Sequence, residues 1–203
     1  KGMLVSAISD PNPVIILEHR WFHYVEGVVP SNIYKSDIKK PKVISKGKDL
    51  TIVVSSYNVN EIIFCSEILK EFKIYLEIID LRVLRPLNVN PILKSVRKTK
   101  KLIIFEIGNK TYGVGAEIIA SILEKNHNIF SCPPSRIGLP DSPTPSTRGL
   151  AKKFYPNQID IMKEIINQLN LSNEDEKLIL NLLKKKSPPH EIDIPNPKFK
   201  GPF

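Results

Sequence analysis

The chain has 203 residues, enough for one sizeable core or for one domain with part of a neighbour. A hydrophobic share of 41% with 25% charged residues is that of a globular protein, and no window reaches the roughly 18 apolar residues of a membrane span. The net charge of +9 raises the question of nucleic acid. The lysines, however, fall in short groups at element ends (39, 40, 42; 98, 100, 101; 184–186), with no recognition helix or aromatic ladder. They read as solvated faces, so neither a nucleic acid nor a membrane is expected as partner. Cys65 and Cys132 are too few and too far apart for a disulfide framework or a zinc site, which points to a reducing compartment.

In chain order, Lys1-Gly2-Met3 has none of the marks of a signal peptide, and the chain is expected to begin inside a larger protein. Met3 to Ile8 reads as the end of a helix. Pro11 and Pro13 then force a turn, and Val14 to Leu17 is expected as a buried strand. Pro30 to Pro41 is polar and periodless, a linker. From Lys42 strands and helices alternate. Leu50–Val54 is a continuous apolar run, as in a strand covered on both faces. Val59–Phe72 carries a helical stripe, Ile74–Ile79 is the next strand, and Asn90 is expected to cap a helix over Pro91–Lys98. Leu102–Ile107 is a third strand, and Val114–Lys125 a helix with Ile118, Ile119, Ile122 and Leu123 inward. Ser131 to Gly149 holds five prolines and leaves room for a short strand at Arg136–Leu139. Ile159–Leu169 is amphipathic. Ser172 starts a further helix with a capping-box pattern toward Asp175, and Ser187–Phe203 reads as an extended proline-rich tail. Alternation of this kind predicts an α/β fold, three layers, with a mostly parallel sheet flanked by helices and a helical and extended tail.

Four places suggest chemistry. Gly113-Val114-Gly115 opens a helix after a strand, where backbone amides hold anions. The dinucleotide fingerprint would need a glycine at Ile118, so close helix–strand packing is the simpler account. Glu106, at a strand's carboxyl end, is placed for function in a parallel sheet; an exposed or ion-paired glutamate accounts for it equally. His19 and His23 are four apart with no third ligand nearby. The turn at Ser6–Asn12 converges carbonyls and the Asp10 and Asn12 side chains, which suits a hard cation or plain turn chemistry. None of these is a self-sufficient catalytic constellation.

Five segments in this order, SAISDPNPVIILEHR from Ser6, DLRVLRPL from Asp80, YGVGAEI from Tyr112, LPDSPTP from Leu139 and KKFYP from Lys152, resemble the beta subunit of thiamine-diphosphate-dependent 2-oxoacid dehydrogenases of the pyruvate dehydrogenase type. The resemblance covers about Lys1 to Leu169. It implies that residues 1–30 are the end of a pyrimidine-binding domain, 31–41 a linker, 42–170 a transketolase C-terminal-like domain, and 171–203 a helix plus tail beyond the family's usual end.

It further implies that thiamine diphosphate and magnesium are held by an alpha subunit and by the pyrimidine-binding domain upstream of Lys1. No catalytic or cofactor-binding residue is then expected in this chain, and the segment alone would be inactive. The family's potassium site would fall on Ala7, Ile8, Asp10 and Asn12. The implied partners are an alpha subunit and a second beta subunit; the family also docks an acyltransferase core, which the added segment from Ser172 puts in question. The implied compartment is the cytoplasm, or the mitochondrial matrix or plastid of a eukaryote. Phe105 and the loop Asn109-Lys110-Thr111-Tyr112 depart from the usual pyruvate dehydrogenase pattern, leaving the 2-oxoacid open. The alternatives are a non-catalytic assembly or regulatory module of the same domain family, or the carboxyl part of a transketolase or deoxyxylulose-phosphate synthase. On the resemblance, the Arg82–Pro86 turn shapes a subunit contact.

Overall fold

A computed structural model describes residues 1–24 and 26–187 of the chain. Helix α1 (Gly2–Ile8) is followed by a turn and an irregular stretch. Beyond it come β1 (Lys42–Ser45), β2 (Leu50–Val54), α2 (Asn58–Glu71), β3 (Leu76–Asp80), α3 (Asn90–Thr99), β4 (Leu102–Asn109) and α4 (Val114–Lys125). Strand β5 (Ser135–Leu139) and helices α5 (Arg148–Phe154), α6 (Gln158–Leu169) and α7 (Asn173–Lys186) complete the order. The sheet runs β1-β3-β2-β4-β5, with β2, β3, β4 and β5 parallel and only β1 antiparallel, so the α/β expectation holds.

Burial on both faces explains the apolar runs. Successive β4 side chains alternate: Leu102 and Ile104 enter the core shared with α3 and α4, Ile103 and Phe105 the core shared with α2, α6 and α7. The next residue by this alternation, Glu106, lies under the start of α4.

Several expectations need correction. Val14–Leu17 forms no strand: no strand among the described residues pairs with it, and Ile15 is 87% exposed. An apolar run reads as buried only when something covers it, and that is non-local information. The stretch 31–41, expected as a linker, runs along α1, where Ser36 donates to the Gly2 carbonyl (3.1 Å) and Ser6 Oγ to that of Ser36 (2.6 Å). Strand β1 was not expected, because its burial is slight and its pairing with β3 is a backbone matter. Helix α5 also went unread. Leu123 points outward, 37% exposed. Asn90 is the first residue of α3 rather than its cap; Val89 is the N-cap, and Asn88 Oδ1 accepts the Asn90 amide (3.1 Å). At α7, Ser172 Oγ accepts the Asp175 amide (3.1 Å) as expected, while the complete capping box is at α6, between Asn157 and Asp160. The tail beyond Ser187 lies outside the described residues.

Candidate functional site

The turn after α1 is locally ordered. Asn12 donates to Asp10 Oδ1 from its backbone (3.0 Å) and its side-chain amide (2.9 Å), and these bonds hold the Asp10 carboxyl below the usual range. The Ala7 carbonyl accepts the Asp10 amide (3.2 Å), and Ile8 has an exposed side chain. Ala7, Ile8, Asp10 and Asn12 are thus gathered on one turn at the negative end of a short helix, three of them tied by hydrogen bonds within it.

The histidines do not converge. His19 stacks on Tyr57 (ring centroids 5.6 Å apart), and burial lowers its pKa; His23 faces Glu18 at 3.6 Å. Among the described residues no group of three or more His, Cys, Asp or Glu is arranged to hold a metal ion. Burial first, and then Glu61, pushes the Cys65 thiol up to about 12, so it stays protonated; Cys132 Sγ donates to Gln168 Oε1 (3.0 Å).

At the carboxyl edge of β3, Arg82 folds back so that Nε and Nη2 both donate to Asp80 Oδ2 (3.1 and 3.0 Å), with both side chains largely buried. Arg82 therefore shapes its own loop, and Leu84, Arg85 and Pro86 are what the turn exposes.

Two strands away, the structure joins two features that the sequence presented separately. Glu106 is 5% exposed, neither on the surface nor in an ion pair. Its Oε2 accepts the Gly115 amide (3.3 Å), while Oε1 is buried with no hydrogen-bond partner. A Cβ on Gly113 would sit 2.5 Å from Oε2 and 2.6 Å from Oε1; one on Gly115 would sit 2.9 Å from Oε1. A Cβ on Gly138 of β5 would come within 3.1 Å of Glu106 Cγ. None of these glycines has a positive φ, so each is needed for space rather than for backbone freedom. Close packing is therefore their role, and the group packed against is a carboxylate.

Beside this cradle the Arg136 guanidinium donates through Nη1 to the Lys110 carbonyl (2.6 Å). An open groove of about 560 Å³ follows, lined among others by Lys110, Arg136, Lys153 and Tyr155. Desolvation raises the Glu106 pKa above its usual value, against the opposing pull of the Gly115 amide, Arg136 and the Val114 amide. Sequence reasoning missed Arg136 and Gly138, since nothing in their local pattern sets them apart. The sheet order, which lays β5 beside β4, brings them to Glu106.

Comparison with known proteins fits this architecture. Residues 39–161 match the family described as the transketolase C-terminal domain. The chain is 39% identical over 163 residues to the pyruvate dehydrogenase E1 component subunit beta, mitochondrial, of Chaetomium thermophilum, covering 78% of this chain and 43% of that protein. The subunit beta of Porphyra purpurea is 36% identical over 170 residues (82% and 51%), and the mitochondrial one of Pisum sativum 36% over 167 residues (80% and 46%). The chain thus spans about half the length of these relatives. Among solved structures, a split-gene transketolase, an inactive β4 tetramer, superposes with a TM-score of 0.59 over 72% of this chain and 47% of its own; at 22% identity the likeness is one of fold. With its mostly parallel five-stranded sheet, its landmarks in order and its match over residues 39–161, the chain belongs to the transketolase C-terminal domain family.

Proposed function

We propose that the chain is part of the beta subunit of a thiamine-diphosphate-dependent 2-oxoacid dehydrogenase, acting in the oxidative decarboxylation of pyruvate or a related 2-oxoacid. This part pairs subunits and supports a cofactor site built elsewhere. The observation that carries the reading is the 39% identity over 163 residues to a pyruvate dehydrogenase beta subunit. The exposed apolar residues of the amino-terminal stretch agree with it. Ile15, Leu17, Val28 (100% exposed), Val29 and Ile33 each present apolar side chains to water that a neighbouring subunit would cover. The partners proposed are an alpha subunit and a second beta subunit, with an acyltransferase core as a further one.

Magnesium diphosphate is proposed to be held elsewhere, by the alpha subunit and the pyrimidine-binding domain; among the described residues no group of three or more His, Cys, Asp or Glu comes together. No chemical step through the cofactor is assigned to them. The α1 turn does fit a potassium ion in donor type, with Ala7 and Ile8 carbonyls beside the Asp10 carboxylate and the Asn12 amide. Its role there would be structural. The compartment follows the source: cytoplasm, mitochondrial matrix or plastid. Among the described residues no helix is long and apolar enough to cross a membrane.

The test is to co-express the complete coding sequence with the matching alpha subunit and to assay carbon dioxide release from a panel of 2-oxoacids. The expected result is turnover that needs both thiamine diphosphate and magnesium. Assembly without turnover of any 2-oxoacid, or turnover indifferent to the cofactor, contradicts the reading.

A further inference from the structure

Among the described residues a single buried side-chain polar atom lacks a hydrogen-bond partner, and it is Oε1 of Glu106. An isolated buried acceptor is costly, and a buried negative charge more so. The fold nevertheless makes room for this one from three separate segments. Gly113 in the β4–α4 loop, Gly115 in α4 and Gly138 in β5 each leave the space their Cβ would take from the Glu106 side chain.

The strand itself is adjusted at this point. Phe105 pairs with Ile137 and Asn109 with Leu139, four steps along β4 for two along β5, and Glu106 lies in the irregular part. The nearest guanidinium, Arg136, is committed to the Lys110 carbonyl. The Asn109 carbonyl oxygen shares the empty space beside Gly113 with both Glu106 carboxyl oxygens. The point where a Gly113 Cβ would lie is 2.5 Å from Asn109 O and 2.6 Å from Glu106 Oε1.

A proton resolves the mismatch, since a neutral carboxyl turns one acceptor into a donor. We propose that Glu106 is a proton-operated latch on the β4–α4 loop. As the neutral acid it donates from Oε1 to the Asn109 carbonyl while Oε2 accepts the Gly115 amide; loss of the proton breaks the first bond and loosens the loop. The proton leaves to solvent and no other group changes state.

The groups acting on Glu106 are Arg136 from β5 and the Gly115 and Val114 amides from α4. The other ionisable groups on the adjoining segments, Lys110 and Tyr112 in the loop and Glu117, Glu124 and Lys125 in α4, are exposed. Because the fold favours the neutral form, its contribution is complete below the ordinary glutamate range and disappears as pH rises through the elevated value. What the latch holds is the segment Lys110-Thr111-Tyr112, whose fully exposed tyrosine has a φ of 56°. The device is independent of the proposed activity.

The experiment follows the side-chain carboxyl of Glu106 in the full chain by carbon-13 NMR with through-bond assignment, together with amide protection factors for residues 113–116 across pH. Glu106 is expected to titrate above the range of exposed glutamates, and protection to fall about tenfold or more through the same pH. Glu106→Gln keeps the donor and cannot lose it, so its protection should stay level with pH. Titration of Glu106 among exposed glutamates overturns the proposal, as does protection that ignores its titration. If the glutamine variant does not fold, the wild-type titration and protection curves decide by themselves.

Discussion

Glu77 on β3 and Glu106 on β4 are buried to the same depth, yet their acidities move in opposite directions. Burial pushes both up. At Glu77 the Lys98 ammonium (2.5 Å) and the Gly47 amide (2.9 Å) outweigh burial and hold the carboxyl below its usual value. At Glu106 no cation makes such a contact, so burial decides. One hydrogen-bonded ammonium separates a structural ion pair from a titratable group. The same accounting applies to the α1 turn. Asp10 already receives two hydrogen bonds from Asn12, which favour its charged form. In the assembled protein, potassium in place of sodium at equal ionic strength should raise the thermal midpoint by about 2–4 °C, and Asp10→Ala should abolish the difference. Equal midpoints in the two salts would remove potassium from the account. At this scale the sequence singled out Glu106, Gly113 and Gly115 but could not join them. Their meeting depends on β4 and α4 packing face to face and on β5 lying alongside.

Helix α7 follows the residues matched by the family, 39–161, and yet it is built into the core. Ile179 and Leu183 are fully buried against α2 and α6. Its end is tied down by an ion pair from Lys186 to Glu71 and by Ser187 Oγ donating to Gln158 Oε1 (2.9 Å). Truncating a side chain so enclosed removes apolar burial and leaves a cavity, so Ile179→Ala should destabilise the chain by about 2–5 kcal/mol, read from urea unfolding midpoints. A change under about 0.5 kcal/mol would mean that α7 rests on the domain without supporting it. The helix was legible because the Ser172 cap, acids in its first turn and lysines in its last agree with one another. Helices α2, α4 and α6 were legible from their apolar stripes, and α3 from Asn90-Pro91 at its start. Strand β1 and helix α5 lacked such agreement: one is a four-residue edge held by backbone pairing, the other a seven-residue helix after a run of prolines.

Part of the basic charge follows from the topology. The parallel strands all enter from one edge of the sheet, so α2, α3 and α4 end there, and their last turns carry Lys70, Arg97, Lys98 and Lys125. Cations beside the negative ends of helix dipoles are stabilising, which accounts for the basic residues at these helix ends without a nucleic-acid partner. The apolar surface is distributed differently. It concentrates in the amino-terminal stretch, around Ile15, Leu17, Val28 and Ile33, where the described residues offer no cover. A chain that folds one domain well and leaves such a stretch exposed is suited to assembly, and its relatives are subunits by name.

The most direct measurement is sedimentation velocity of the complete beta chain purified alone and with its alpha subunit, each with and without thiamine diphosphate and magnesium. The account predicts a heterotetramer of two alpha and two beta chains. A stable beta monomer that ignores both the alpha subunit and the cofactor would contradict it.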